Sequence, residues 1–169
     1  PRERAEFPEL TALGLVDWAT LSFVESAAIV NEGKRLLGTG IKLMSKIESP
    51  AGVENIAAIC AASDGIMVAR GDLAIQAPME RLGIYERLLV KAGKAAGKQV
   101  MMATQFLESM VANAIPLRAE LSDVATAAIL GVDSILLTNE VAKGAYPLRA
   151  LAIAKGTLAY TALHLDEVA

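Results

Sequence analysis

The chain has 169 residues, 54% of them hydrophobic and 21% charged, and carries a formal net charge of −3. That length allows one domain with a substantial core but not two large ones, and the apolar fraction excludes intrinsic disorder. With a sequence pI near 5.2 the surface as a whole is unsuited to nucleic acid, so any anion site has to be local.

Aromatic residues make up only 4% of the chain, so the core has to be built from Ala, Leu, Ile, Val and Met, with the six methionines as gap fillers. The one cysteine, Cys60, excludes an intramolecular disulfide and a Cys-rich zinc site. It falls among Ile56, Ile59 and Ala61 in a helical pattern and reads as a buried bystander, in keeping with a reducing compartment. No apolar run reaches the roughly 18–20 residues of a transmembrane helix, and no signal-peptide pattern opens the chain. Pro1 stands where an initiator methionine would, as in a processed chain or a piece of a longer one.

In chain order, residues 1–13 are a charged, then mildly apolar lead-in interrupted by Pro8. Val16–Val24 is rich in β-branched and aromatic residues and predicts a first buried strand. Ser26–Leu37 follows with Ala28, Ile29, Leu36 and Leu37 at helical positions, and Gly38 and Gly40 stop it. The second strand is Ile41–Ile47. Ser49 then suits an N-cap and Pro50 the first helical position, ahead of the apolar stripe Val53, Ile56, Ala57 and Cys60.

Gly65–Ala69 predicts a third strand and is followed by a loop containing Pro78. Leu82, Tyr85, Leu88, Leu89 and Ala92 mark a helix that Gly97 ends. Val100–Thr104 is the fourth strand, Arg118–Leu130 a helix capped by Gly131, and Ser134–Leu137 the fifth strand. Lys143 and Gly144 lie in a loop, and Pro147 opens a last helix that runs to about Leu163. Residues 14–163 thus form strand–helix units within a single partial barrel domain, and 164–169 a tail.

Strands that are apolar nearly throughout, each followed by a helix, predict a parallel sheet covered on both faces. No strand leads into a Gly-x-Gly-x-x-Gly or Walker-type loop, which disfavours a doubly wound nucleotide fold. The expectation is an α/β fold, a partial (β/α)8 TIM-type barrel of about five units. Lys46 and Glu48 close the second strand, and Arg70 and Asp72 follow the third. On neighbouring parallel strands these residues bring two carboxylates and two cations to one rim, a setting for a divalent cation and a phosphorylated or carboxylated ligand.

At these residues the chain resembles the pyruvate kinase family. The matching runs are Ser45-Lys46-Ile47-Glu48, Asp64 to Asp72 (DGIMVARGD), Ala103-Thr104-Gln105 with Leu107-Glu108-Ser109-Met110, Arg118 to Ala125 (RAELSDVA), and Ala142-Lys143-Gly144 before Tyr146-Pro147. Five matches in series over residues 13–150 make the resemblance specific. It implies that Glu48 and Asp72 hold the divalent cation, Mg²⁺ or Mn²⁺, for which hard oxygen ligands are suited. It also implies that Lys46 contacts the transferring phosphoryl group, that Gly71 and Asp72 offer main-chain N–H groups to the substrate carboxylate, and that Thr104, or water near it, serves protonation of enolpyruvate. Arg70 is a supporting residue. The implied reaction is phosphoenolpyruvate plus ADP to pyruvate plus ATP, in glycolysis and in the cytoplasm.

The family barrel has eight units, and this chain matches the last five. The first three units, the lid domain and the C-terminal domain fall outside the match, and with them the nucleotide contacts and most ligands of the K⁺ ion. The expectation is therefore a substrate half that uses ADP or ATP only if the missing half is supplied. Open sheet edges call for an oligomer or another association, and no nucleic-acid or membrane partner is expected.

Local departures from the family pattern are Asn139 in place of a glycine, Ala74 in place of a glycine, Gln76 in place of a glutamate, and Glu25 where a basic residue is common. Glu108, Arg118, Glu120 and Asp123, near helix starts, read as capping and ion-network residues, and His164 as a surface histidine. Two other readings stay open at this level: a metal-dependent aldolase or lyase of the phosphoenolpyruvate/pyruvate barrels, and a non-catalytic association module.

Overall fold

The computed structural model describes Thr11 and residues 13–167; most of the lead-in and the end of the tail lie outside the described residues. Five strands alternate with helices: β1 Trp18–Leu21, β2 Lys42–Ile47, β3 Gly65–Ala69, β4 Gln99–Ala103 and β5 Ser134–Leu136. Strand order follows chain order, and the β1–β2, β2–β3 and β4–β5 pairings are all parallel. This is a partial α/β barrel, as the strand–helix repeat predicts.

By contacts, the chain divides into two compact units, one ending at Val100 and the other beginning at Met101. In the first unit, helix α1 (Ala27–Leu37) starts at the N-cap Ser26, whose hydroxyl accepts from Ile29 N–H, and stops at Gly38 with φ of 75°, where a side chain would be strained. Beyond β2, Ser49 caps and Pro50 opens helix α2 (Pro50–Glu54), as expected. The stripe predicted as one helix is broken after Glu54, and α3 (Ile56–Ala62) carries Ile59 and Cys60 into the core. All five residues of β3 are buried. The core on this side comprises Leu43, Met44, Ile47, Ile66, Val68 and Leu89, the last from helix α5 (Leu82–Ala95).

The largest departure from the sequence reading follows β3. Arg70–Gln76, read as loop, is a helix, α4, that begins directly where the strand ends. Local composition does not show this start, because Ala69 supplies no side-chain cap.

In the second unit, β4 leads through a 3₁₀ turn at Glu108–Val111 to helix α6 (Arg118–Ile129). Glu120 reaches back from the third helical position to Leu117 N–H at 2.8 Å and also accepts from Ser109 N–H at 2.7 Å. It fills the glutamate half of a capping box, the leucine having no acceptor to return. Its structural reading is borne out. After β5 come a short helix, α7 (Asn139–Ala142), and the long α8 (Pro147–Leu163) opened by Pro147. The segment before Lys143 thus contains a helical turn not expected from its sequence.

Each outer strand of the sheet is flanked by an apolar groove in its own unit. Leu21, Ala28, Ile29 and Leu36 line about 440 Å³ between β1 and α1, with Glu32 among them. Ile135, Leu137, Leu151 and Leu158 line about 720 Å³ between β5 and α8, with Lys155. No described helix is long and apolar enough to cross a membrane.

Candidate functional site

The C-terminal end of β2 carries the densest chemistry of the first unit. The strand is buried on both faces through Leu43, Met44, Ser45 and Ile47, and only Lys46, near its end, is partly covered. Glu48, just past the strand, is 1% exposed. Its Oε2 accepts the main-chain N–H of Phe23 at 2.6 Å, and its Oε1 lies 2.7 Å from the Lys46 ammonium. The geometry at Oε1 is not that of an aligned hydrogen bond, and this buried atom has no hydrogen-bond partner among the described residues. The contact there is one of charge, which needs no alignment, and we describe it as an ion pair. Lys46 Nζ also donates to Ser22 Oγ at 3.2 Å.

The turn after β1 wraps this strand end residue by residue. Val24 N–H donates to the Lys46 carbonyl at 3.1 Å, and Ser49 Oγ donates to Glu25 Oε1 at 2.6 Å. Asn55 Nδ2 donates to the Glu25 carbonyl at 2.9 Å. Phe23 itself has φ of 52°, a left-handed conformation uncommon for a bulky residue. Such strain costs on the order of 1–3 kcal/mol and persists where surrounding contacts over-determine it. Here the contact is the N–H bond to Glu48. The first strand, read as Val16–Val24, therefore ends at Leu21, because Ser22 to Glu25 turn to hold the end of β2.

On the neighbouring strand, Ile47 pairs with Val68, so the residues after β3 leave the sheet at the level of Glu48. Arg70 is buried, and Gly71 and Asp72 fall in the first turn of α4, with Asp72 exposed. N–H groups of a helix's first turn point out of its N-terminal end. The structure thus brings Lys46 and Glu48 into contact and sets Arg70, Gly71 and Asp72 at the end of the adjacent strand.

Thr104 belongs to the second unit. Read as the last residue of a strand, it lies just beyond β4, with φ of 73°, and Gln105 follows at 56°. Its N–H donates to the carbonyl of Leu136, the end of β5, at 3.3 Å. Two residues on from that strand, Thr138 donates through N–H to Glu140 Oε2 at 2.9 Å and through Oγ1 at 3.3 Å. Glu140 is fully buried, and its Oε1 has no hydrogen-bond partner among the described residues. Asn139, one of the departures from the family pattern, donates to Glu108 Oε1 at 3.3 Å.

Phe23, Ser22 and Glu140 are the site-level residues that sequence reasoning missed. A left-handed phenylalanine leaves no sequence signal. Glu140 leaves a weak one, as an acid between an apolar strand and an apolar helix.

Of the two carboxylates proposed for metal, Glu48 lies just past β2 and Asp72 in the first turn of α4, and the buried oxygen of Glu48 lacking a directed hydrogen bond suits a hard cation. Among the described residues no group of three or more His, Cys, Asp or Glu could hold a metal by itself. The donor set therefore fits an ion that takes one or two carboxylates and completes its shell with substrate and water oxygens, as Mg²⁺ does.

Comparison with known proteins gives the family of the chain. The family profile for the pyruvate kinase barrel domain matches residues 9–151. A pyruvate kinase of Dictyostelium discoideum is 45% identical over 141 residues, covering 82% of this chain and 28% of the relative. One of Leishmania mexicana is 46% identical over 135 residues, 78% of this chain and 27% of the relative. One of Agrobacterium vitis is 40% identical over 164 residues, 97% of this chain and 34% of the relative. The chain spans about a third or less of the length of these relatives. With its parallel strand–helix units and the charged ends of β2 and β3, the chain belongs to the pyruvate kinase family.

Proposed function

We propose that this chain is the metal- and phosphoenolpyruvate-binding part of a pyruvate kinase barrel, acting in phosphoryl transfer between phosphoenolpyruvate and ADP to give pyruvate and ATP in glycolysis. The observation that carries this reading is the buried Glu48 at the end of β2, held by Phe23 N–H and faced by Lys46 at 2.7 Å. A surface ion pair would leave both groups solvated. Here the carboxylate side chain is fully covered while the lysine keeps 24% exposure, an arrangement that supports a fixed anion and an adaptable cation.

In this reading Glu48 and Asp72 hold Mg²⁺ or Mn²⁺. Such an ion would supply positive charge to the oxygens of the substrate. Lys46 places its ammonium against the phosphoryl oxygens, where a fixed charge offsets the charge that develops in transfer. Gly71 and Asp72 present first-turn N–H groups of α4 to the carboxylate of the substrate, and the buried Arg70, first residue of that helix, supports them. Thr104 offers its hydroxyl, or a water beside it, for protonation of the enol. Its left-handed backbone supports a functional role, since such strain gathers at sites.

Nucleotide contacts and most K⁺ ligands are assigned to parts of the family outside this chain, so the chain alone is expected to make little ATP. The grooves beside β1 and β5 support association of these edges with further strand–helix units. A cytosolic setting fits a glycolytic role. The test is a Mn²⁺ titration of the chain with and without oxalate, an enolate mimic, alongside a coupled ATP assay. The expected result is Mn²⁺ binding that Glu48→Gln abolishes, with little turnover. Robust ATP formation by the chain alone, or Mn²⁺ binding indifferent to Glu48, would overturn it.

A further inference from the structure

The turn Ser22–Phe23 and the pair Lys46–Glu48 carry an inference that rests on the site reading above but goes beyond it. Glu48 cannot leave its position readily: its side chain is fully covered, and Oε2 is engaged by Phe23 N–H at 2.6 Å. Oε1 is the oxygen with capacity to spare, and the Lys46 ammonium stands against it at 2.7 Å without an aligned hydrogen bond. A divalent cation and an ammonium compete for that one oxygen, and as like charges drawn to the same buried anion they repel each other. Of the two residues Lys46 is the one with exposed surface, and Ser22 Oγ, 3.2 Å from Nζ, offers it a neutral acceptor.

We propose that the Lys46–Glu48 ion pair is an exchange latch: a cation taken up at Glu48 Oε1 releases the Lys46 ammonium, and the released ammonium receives a tetrahedral oxyanion. Ser22 is the positioning residue that keeps the ammonium at the rim during the exchange. Before either ligand arrives, lysine and glutamate neutralise each other and each masks the other's site. Cation alone leaves an ammonium without a counter-charge; anion alone must draw the lysine from the carboxylate. Each ligand removes the penalty on the other, and the linkage is reciprocal, so the factor by which the anion tightens the cation equals the factor by which the cation tightens the anion.

The test is Mn²⁺ binding to the whole chain at pH 8, read by electron paramagnetic resonance of the free ion, with and without sulfate, a tetrahedral dianion that chelates Mn²⁺ poorly. In the wild type, sulfate tightens Mn²⁺ by about threefold or more. Lys46→Met binds Mn²⁺ alone at least about threefold tighter than wild type, and sulfate no longer changes its affinity. If Lys46→Met binds Mn²⁺ no tighter, or keeps the wild-type sulfate effect, the latch is wrong.

Should that variant not fold, wild-type chain with ¹³C-dimethylated lysines decides the matter. Saturating Mg²⁺ moves the Lys46 methyl resonance toward that of a solvated lysine; an unmoved resonance with Mg²⁺ bound overturns the exchange. Mn²⁺ binding without sulfate coupling removes the latch alone. No Mn²⁺ binding in the wild type removes the site reading and the latch together.

Discussion

Two buried glutamates, one in each unit, have almost the same first contacts and opposite surroundings. Glu48 uses Oε2 to hold the N–H of Phe23, and Glu140 uses Oε2 to hold the N–H of Thr138. Each has an Oε1 without a hydrogen-bond partner among the described residues. Glu48 has a lysine against that oxygen, whereas the hydrogen bonds of Glu140 among the described residues are all on Oε2, from Thr138 N–H and hydroxyl. A buried charge with a partner is a paired group whose partner can be exchanged. A buried carboxylate oxygen with neither hydrogen bond nor cation is destabilising, and its retention is explained by the turn that the other oxygen holds.

The comparison can be broken most directly at Glu48. Glu48→Ala leaves Phe23 N–H without its acceptor and Lys46 without its counter-charge, and breaking such a buried pair is expected to cost about 3–5 kcal/mol. Urea unfolding measures this. A loss under about 1 kcal/mol would mean that the pair is not a structural unit.

Glu140 is expected to respond differently to two substitutions. Glu140→Ala removes the acceptor for Thr138 N–H and opens a cavity, at a cost of about 2–3 kcal/mol. Glu140→Gln keeps the acceptor and removes the charge, and should fall within about 1 kcal/mol of wild type or be more stable. If the glutamine variant is as damaged as the alanine one, the charge of Glu140 has a partner and the contrast with Glu48 fails.

Smaller effects sharpen the picture around the first unit. A Cβ on Gly93 would lie 2.6 Å from Val100 Cγ2 and 2.8 Å from Ile66 Cδ1, so Gly93→Ala should cost about 1–3 kcal/mol through overpacking where α5 meets the sheet. Thermal unfolding with a lowered midpoint, and unchanged Mn²⁺ affinity, is the expected pair of results.

The smallest effect is a pH dependence from Asp64. Partial burial pushes its carboxyl up, but Leu43 N–H, the Lys34 ammonium at 2.9 Å and the charge of Lys98 hold it below the ordinary value. With the folded value depressed, the unfolded chain binds the proton more readily. The stabilisation is full above the ordinary carboxyl value, about 3.9, and is lost as pH falls through the folded one. Asp64 and Lys34 are each about a third exposed, so screening holds the effect to about 1 kcal/mol or less. Asp64→Asn should flatten the acid limb of stability below about pH 4; an unchanged limb would show that other carboxylates govern it.

Much of the fold was legible because parallel strands buried on both faces leave continuous apolar runs. Gly65–Ala69 coincides with β3 for that reason, and Ser49-Pro50 announced a helix because capping is a local property of two residues. The helix α4 was not legible, since Arg70-Gly71-Asp72 begins a helix without a capping side chain. Neither was the end of β1: the residues that would extend it turn instead to bond Lys46, Glu48 and Ser49, partners more than twenty positions away.

By itself, then, the sequence determined the strand–helix alternation, the family, and the charged residues after β2 and β3, all of which rest on local pattern or short motifs. Only the tertiary structure decided the state of those charges. That Glu48 is buried, that Phe23 strains its backbone to hold it, and that Lys46 faces one of its oxygens depend on β1 lying in parallel register beside β2. A similar dependence leaves Glu140 in the interior with one oxygen that has no hydrogen bond among the described residues. Local pattern selects which residues reach a strand end, and burial by distant segments then decides whether a carboxylate there is solvated, paired or left in need of a partner.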